Sequence, residues 1–259
     1  MENVLCERKD KTEIITLNKP ESYNSFDMEL AECFFDKLNK SISSSDVKSI
    51  IITGAGNAFC AGGNIKKMVE GPDSPSEMLG KLIRVLNMSI TEIKRSKKPV
   101  IAAINGIAAG AGFSIAMACD LKVADKNAKF KQAYTSSGLV PDGGWTIFVP
   151  ALAGYSRAME LALLDDVILA DKALEWGLIN KTCPKEKIMD ISMEWAEKIN
   201  NGPAFAFSEV KRLINNNTYK GLESALENER NAMIEVSAHP DGIEGISAFI
   251  EKRVPKFGK

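Results

Sequence analysis

The chain has 259 residues, of which 45% are hydrophobic and 26% are charged, and its formal net charge is −1. This length and composition are typical of one or two folded domains with a substantial core, and they exclude a disordered chain. The near-neutral charge provides no basic field, so we expect no nucleic-acid partner and no attraction to an anionic membrane.

The cysteine and histidine content limits which metal sites, disulfides and catalytic bases the chain can have. None of the five cysteines forms a CxxC pair, and His239, which precedes Pro240, is the single histidine. We therefore expect no metal site and reduced thiols in a cytoplasmic protein. His239 is predicted to be a surface turn residue, so proton transfer should fall to a carboxylate.

The first half of the chain alternates predicted strands with predicted helices. Asp27, a favoured helix cap, precedes a helix whose apolar residues fall on one face. The apolar run from Val100 to Cys119 contains three glycines and predicts a buried strand turning into a buried helix, not a membrane span. The other predicted elements are the strands Ile14–Leu17, Ser49–Thr53 and Val100–Ile104 and the helix Glu77–Arg95.

The second half, from about Gly143, has helical patterns throughout. This order of elements predicts an α/β core domain, residues 1–195, followed by a C-terminal helical region, residues 196–259. The predicted helices of this half are Tyr155–Leu164, Ala170–Trp176, Lys185–Asn200, Ala204–Asn215, Gly221–Val236 and Ile243–Lys252.

Two glycine-rich turns, 58–68 and 105–112, each follow a predicted strand and should open a helix. Backbone N–H groups in such turns can stabilise an anion, including an oxyanion formed during a reaction. A purely structural role, in which Gly110 and Gly112 let a helix pack tightly on the sheet, fits equally well. Neither a phosphate loop nor a GxGxxG fingerprint is present, which disfavours nucleotide hydrolysis and nicotinamide binding.

Five stretches, in order along nearly the whole chain, resemble the crotonase (enoyl-CoA hydratase/isomerase) superfamily. They are LNKPESYNSF (17–26), AFCAGGNIKKM (58–68), PVIAAINGIAAGAGFSIAMACDLKVAD (99–125), GLVPDGG (138–144) and GISAFIEKR (245–253). The resemblance implies an α/β crotonase (ClpP-like) spiral of ββα units with a C-terminal helical trimerisation region. It also implies a homotrimer or dimer of trimers that acts on an acyl-CoA thioester, with no separate cofactor because coenzyme A is part of the substrate.

The resemblance further implies roles for individual residues. The N–H groups of Ala61 and Ala111 would form the oxyanion hole for the thioester carbonyl, and a backbone donor survives the presence of alanine at position 111, where most of the family has glycine. Lys66, or Lys252 from a neighbouring subunit, would reach the coenzyme A phosphates, unless each is simply a solvated surface charge. The implied substrate-binding residues are Ser22, Asn24, Ala61, Gly62, Gly63, Asn64, Ile65, Lys66, Tyr134, Trp145, Phe249 and Lys252.

The reaction depends on the acids near these turns. Hydratases of the family use two glutamates, and the matching positions here hold Ser114 and Tyr134, whose hydroxyls cannot act as bases near neutral pH. Asp142, in GLVPDGG, resembles the acid/base of 1,2-epoxyphenylacetyl-CoA isomerases and Δ3,Δ2-enoyl-CoA isomerases. Alternatively, Asp142 only caps the helix that starts near Gly143.

The sequence therefore favours an isomerase that moves a double bond through an enolate, with Asp142 as acid/base and Trp145 shaping the acyl pocket or packing in the core. Three alternatives stay open at this point. The first is an enoyl-CoA hydratase. The second is a hydrolytic aryl-CoA dehalogenase-like enzyme, in which Asp142 is the nucleophile and a histidine is the base. The third is a non-catalytic CoA-thioester binding protein.

Overall fold

The computed structural model describes residues 2–70 and 72–258, in which strands alternate with helices before a run of helices ends the chain. The strands are β1 (Val4–Lys9), β2 (Thr12–Leu17), β3 (Ser49–Gly54), β4 (Ala58–Cys60), β5 (Val100–Ile104), β6 (Ile107–Ala109), β7 (Leu121–Asp125), β8 (Lys129–Lys131), β9 (Ile168–Leu169) and β10 (Lys181–Cys183). The helices are α1 (Met28–Ser43), α2 (Ile65–Val69), α3 (Pro75–Arg95), α4 (Ala111–Ala118), α5 (Trp145–Ala153), α6 (Tyr155–Leu164), α7 (Ala170–Glu175), α8 (Ile188–Asn200), α9 (Ala204–Thr218), α10 (Leu222–Ala238) and α11 (Pro240–Glu251). Short 3-10 helices cover Pro20–Ser22, Thr135–Ser137 and Lys185–Lys187.

Two sheets form the centre of the molecule. The larger sheet has the strand order β1-β2-β3-β5-β7-β10, in which β1 runs antiparallel to β2 and the other neighbours are parallel. The smaller sheet has the order β4-β6-β8-β9 and is parallel up to β8. From β3 to β8, consecutive strands alternate between the two sheets, and a helical segment follows each of the pairs β3/β4, β5/β6 and β7/β8. The α/β fold with repeated ββα units is therefore confirmed.

The inner strands β3 and β5 of the larger sheet are buried on both faces. Ile50 and Ile52 face the main core, whereas Ile51 and Ile101 face a second core that α8 covers. A parallel strand covered on both faces is a continuous apolar run, which is why β3 and β5 were recognisable from the sequence. The strands of the smaller sheet have two or three residues each, too short for a periodic pattern, and the sequence did not predict them.

Side-chain caps explain where several helices begin. The Asp27 carboxylate accepts the N–H of Leu30 at 2.9 Å and caps α1, as predicted. Ser74 and Glu77 form a capping box at the start of α3, which therefore begins at Pro75, two residues before the predicted start. Nδ1 of His239 accepts the N–H of Asp241 at 3.2 Å, and α11 therefore begins three residues before its predicted start.

The last three helices, α9 to α11, form the C-terminal helical region. Helix α10 packs along α3, and α11 packs on the Thr135–Ser137 turn and contacts α2 of the same chain. The predicted division after residue 195 falls inside α8. The apolar run 100–119 forms the predicted buried strand, β5, and the predicted buried helix, α4, with the unpredicted strand β6 between them. No helix within residues 2–70 and 72–258 is long and apolar enough to cross a membrane.

Helices α6 and α9 leave large apolar side chains uncovered in the single chain. Tyr155 and Leu163 on α6 are exposed, as are Phe205 and Leu213 on α9. Exposed large apolar side chains are found at protein–protein interfaces when they form a contiguous patch. The homotrimer or dimer of trimers stays a prediction.

The close packing of α4 on β4 gives a stability test. A Cβ atom at Gly112 would lie 2.2 Å from the carbonyl oxygen of Cys60, so Gly112→Ala requires a backbone shift. We expect this variant to lose about 1–3 kcal/mol of unfolding free energy, the usual cost of overpacking. Gly63→Ala is the control, since its Cβ meets only the flexible end of Met68, at 2.8 Å. Equal stability of both variants in urea unfolding would contradict this packing.

Candidate active site

The two glycine-rich turns lie side by side because the strands that precede them are neighbours in the smaller sheet. Parallel pairing joins Ala58 to Ile107 and Cys60 to Ala108. A Cβ atom at Gly110 would lie 3.3 Å from Cα of Gly62, and both glycines have positive φ, 49° and 99°. Side chains at these two positions would be strained and would separate the turns.

The first turn leaves the N–H of Gly63 unpaired, and Gly63 is not the predicted donor. The N–H of Ala61 donates to the carbonyl of Tyr23 at 3.0 Å, and the N–H of Asn64 donates to Phe26 at 2.8 Å. The N–H of Gly62 points to Sγ of Cys60 at 3.4 Å. Gly63 is left without an acceptor for its N–H among the residues described. The expectation that Ala61 donates to an oxyanion is therefore corrected, since a loop carbonyl already occupies that donor.

The second turn keeps its predicted donor. Ala111 is the first residue of α4, and its N–H has no acceptor in the described part of the chain. The first N–H groups of a helix lack intrahelical partners and carry the positive end of the helix dipole. Two adjacent turns thus each present an unpaired N–H, from Gly63 and Ala111, where a negatively charged oxygen could be held.

Asp142 lies beside these turns and is almost fully buried, with 5% of its surface exposed. The hydroxyl of Tyr134 donates to Oδ1 of Asp142 at 2.7 Å, and the Ser114 hydroxyl donates to the Asp142 carbonyl at 2.7 Å. No described residue donates to the second carboxyl oxygen, Oδ2. The two hydroxyls that replace the glutamates of the hydratases therefore both hold Asp142.

The helix-cap alternative for Asp142 is wrong. The residue at the N-cap of α5 is Gly144, and no side chain of the cap residue bonds the helix start. The Asp142 carboxylate bonds Tyr134 instead. The carboxylate is therefore oriented by the hydroxyl of Tyr134 and not by the first N–H groups of α5.

The surroundings of Asp142 move its titration toward neutrality. Burial raises the pKa of Asp142 from 3.8 to about 7, the hydrogen bond from Tyr134 lowers this pKa, and the negative charge of Glu229 raises it. Burial and then the Asp142 carboxylate raise the pKa of Tyr134 well above its usual 10, so the phenol remains a donor. A carboxyl group in this state can take up and release a proton near neutral pH.

Asp165, which the sequence analysis missed, anchors the loop that carries Tyr134. Its carboxylate accepts hydrogen bonds from the N–H of Ala133, at 2.8 Å, and from the hydroxyl of Ser136. It also forms an ion pair with Lys131 at 3.3 Å. Ala133 has a positive φ of 57°, so the loop makes a tight turn just before the phenol. The position of Tyr134 therefore depends on a buried acid at the end of α6.

Glu229 is the second residue that the sequence analysis missed. It lies on the buried face of α10, in line with Leu222, Leu226 and Met233, and is 5% exposed. Its carboxylate accepts the N–H groups of Gly144 and Thr146 at 2.7 and 2.9 Å, together with the Thr146 hydroxyl. A glutamate at helical spacing among apolar residues was the available signal.

The loop predicted to hold the pantetheine and adenine lies next to the first turn. The Asn24 amide donates to the carbonyls of Ala55, Ala58 and Phe59, at 3.0, 2.9 and 3.3 Å. Its side-chain oxygen accepts the N–H of Lys19 at 2.9 Å, and its own N–H donates to the Lys19 carbonyl at 2.9 Å, so only the carbonyl of Asn24 is left for a ligand. The Ser22 hydroxyl donates to the Lys19 carbonyl at 3.2 Å.

The remaining predicted binding residues occupy different surroundings. Asn64 caps α2 by accepting the N–H of Lys67 at 3.2 Å, Ile65 is half-buried, and Lys66 is exposed on the same short helix. Phe249 and Lys252 lie at the end of α11, where both are exposed. Helix α11 contacts α2 within one chain, so the helix that carries Lys66 lies beside α11 of the same subunit.

Trp145 packs in the core, 2% exposed and edge-on to Phe113 with ring centres 6.4 Å apart. Its indole N–H has no partner among the residues described. Core packing, one of its two predicted roles, is therefore confirmed, while contact with an acyl group stays a prediction.

His239 is a surface cap, as predicted. Its side chain is 62% exposed at the start of α11 and accepts the N–H of Asp241. The only histidine is thus committed to a helix end and does not contact Asp142. This placement weakens the dehalogenase alternative, which needs a histidine base beside the nucleophile.

Comparisons with known proteins show the family and the fold of this chain. A family model described as enoyl-CoA hydratase/isomerase matches residues 7–259. The chain is 36% identical to 1,2-epoxyphenylacetyl-CoA isomerase of Escherichia coli (strain K12), over 99% of this chain and 98% of that protein. It is 32% identical to short-chain-enoyl-CoA hydratase of Clostridium acetobutylicum, over 98% and 96%. The crystal structure of an enoyl-CoA hydratase from Mycobacterium avium subsp. paratuberculosis K-10 is similar at a TM-score of 0.89 and 33% identity, covering 99% of both chains.

The pKa of Asp142 predicts a gain in stability when its charge is removed. Asp142 has a pKa of 3.8 in the unfolded chain and of about 7 in the folded protein. The free energy of unfolding therefore falls as the pH rises from about 4 to about 7. The loss of unfolding free energy is complete above pH 7, and its upper limit is about 4 kcal/mol. Asp142→Asn should therefore be more stable than the wild type at about pH 8 and similar to it at about pH 4. Urea unfolding at the two pH values measures this, and a pH-independent difference would contradict it.

Proposed function

We propose that this chain, which belongs to the enoyl-CoA hydratase/isomerase family, is an isomerase that moves a carbon–carbon double bond within an acyl-CoA thioester. The observation that carries the proposal is a buried carboxyl group, Asp142, with one oxygen that accepts no hydrogen bond from the described residues, near two turns with unpaired N–H groups. Its pKa of about 7 suits a group that must both accept and return a proton.

Proton relocation needs one acid/base and one anion site. In a 3-enoyl thioester, Oδ2 of Asp142 would take a proton from C2, and the electron pair of that C–H bond would move onto the thioester oxygen as an enolate. The enolate would then reform the carbonyl, place the double bond between C2 and C3, and take the proton from Asp142 at C4. The substrate and product are isomers, so no water and no further reactant enter.

The N–H groups of Gly63 and Ala111 are the proposed donors to the enolate oxygen. Both lack acceptors, and the turns that carry them are in van der Waals contact. Loss of one such donor typically costs about 10²–10³ in rate, because the donors are oriented before the charge develops. Gly63 takes the place that the sequence resemblance had suggested for Ala61.

Hydration fits this site less well. Addition of water across a double bond by this family's two-glutamate route needs a second carboxylate, and Ser114 and Tyr134 stand at the two positions. Glu229, the other buried acid nearby, accepts hydrogen bonds from Gly144 and Thr146. A relative at 36% identity bears the name of an isomerase, and a relative at 32% bears the name of a hydratase, so the assay must separate them.

Replacing Asp142 tests the proposal directly. We expect Asp142→Asn to lower isomerase turnover by about 10²–10⁴-fold, the usual contribution of a positioned base, while thioester binding persists. Turnover is measured with 3-enoyl-, 2-enoyl- and ring-derived CoA thioesters, each followed for both isomerisation and hydration. Asp171→Asn, an exposed aspartate on α7, is the control. Wild-type hydration without isomerisation, or full activity in Asp142→Asn, would reject the assignment.

Tyr134→Phe tests the hydrogen bond to the acid. The phenol lowers the pKa of Asp142, so its removal should raise that pKa and move the acidic limb of kcat/KM to higher pH. Activity near neutral pH should fall because less of the base is ionised. Tyr155→Phe, whose ring is exposed on α6, should leave the profile unchanged. A shift of the limb to lower pH would show that the phenol does not stabilise the ionised acid.

A further inference from the structure

The buried carboxylate of Glu229 has an unusual set of partners. It comes from the C-terminal helix α10, yet it accepts both the N–H groups of Gly144 and Thr146 and the hydroxyl of Thr146. These groups form the first turn of α5, whose own N-cap residue is a glycine without a side chain. Glu229 therefore supplies from 85 residues away the cap that α5 lacks.

We propose that Glu229 is a positioning residue for the isomerase reaction, in which its carboxylate fixes the turn that follows Asp142 and adds a second buried negative charge to the site. The inference rests on the proposed role of Asp142 as acid/base. It assigns a part in the chemistry to the C-terminal helical region.

Two consecutive glycines form the turn between Asp142 and α5. Gly143 and Gly144 both have positive φ, 64° and 82°, and neither has a side chain that could anchor the backbone. Ser114 fixes the carbonyl of Asp142 on one side of this pair, and Glu229 fixes Gly144 and Thr146 on the other. Hydrogen bonds therefore fix the backbone at Asp142 and again two and four residues later. A displacement of a reacting group by about 1 Å can lower the rate about 10²-fold.

The charge of Glu229 acts in addition to its position. Two titratable groups act on Asp142 in the described part of the chain: Tyr134, whose hydrogen bond lowers its pKa, and Glu229, whose negative charge raises it. Helices α3 and α4 contribute Leu86 and Ser114 at the turn, which are uncharged. Burial raises the pKa of Glu229 itself, while the hydrogen bonds from Thr146 and Gly144 lower it.

The experiment uses Glu229→Gln in the full chain, which keeps the size of the side chain and removes its charge. We expect kcat to fall by about 10-fold or more with KM nearly unchanged, because the acid is misplaced and substrate contacts are not. We also expect the Asp142 carboxyl to titrate at lower pH. This titration is measured from the carboxyl absorption in infrared difference spectra, with Asp142→Asn as the reference. The measurement requires no substrate turnover.

Two further variants act as controls. Glu227 lies two residues from Glu229, on the exposed side of α10, where it pairs with Arg230, so Glu227→Gln should change neither kcat nor the titration. Glu229→Asp keeps the charge but shortens the reach, so kcat should fall while Asp142 titrates near its wild-type pH. If Glu229→Gln fails to fold, Glu229→Asp alone decides, and unchanged kcat in that variant overturns the inference.

The outcomes separate this inference from the proposed function. Wild-type kcat and an unchanged Asp142 titration in Glu229→Gln would overturn the role of Glu229, while loss of activity in Asp142→Asn would still support the isomerase. A lowered Asp142 titration in a protein that isomerises no thioester would reject the proposed function and support the electrostatic contact. A Glu229→Gln variant in which kcat and KM change together would indicate a general structural role and would also reject positioning.

Discussion

Removal of the Asp142 carboxyl group from water is the constraint that shapes the rest of the site. A buried carboxylate is costly unless donors compensate it, and here one phenol donates to one of its two oxygens. Ser114 fixes the backbone of the acid, and Glu229 adds negative charge where a cation would have favoured ionisation. The result is an acid that changes its protonation state near neutral pH and leaves one oxygen available.

The scaffold divides the work between backbone and side chain. Parallel pairing of β4 with β6, and the close approach of α4 to β4, bring two unpaired N–H groups to neighbouring turns. The α10 helix, packed along α3, brings Glu229 to the start of α5. Backbone groups thereby face the thioester oxygen in the proposed reaction, and a single side chain handles the proton.

The sequence predicted those parts of the structure that local patterns encode. The doubly buried strands β3 and β5, the cap at Asp27 and the glycine-rich turns were recognisable because each has a local residue signature. The choice between Ala61 and Gly63 as donor was not, because it depends on the carbonyl of Tyr23, which reaches the turn from a distant loop. Glu229 was missed for the same reason: its spacing with Leu222, Leu226 and Met233 marks the buried face of α10, but its partners lie 83 and 85 residues away.

The location of the two unpaired N–H groups on the main chain also has an evolutionary consequence. Nearly every amino acid keeps its N–H, so exchange of the side chain at position 63 or 111 does not delete the donor. The proposed oxyanion site thus depends on the backbone, whereas the proposed proton transfer depends on the side chains at positions 114, 134 and 142, which point substitutions change. Descendants of one such scaffold can therefore change the reaction they catalyse in a few steps while retaining the class of molecule they accept.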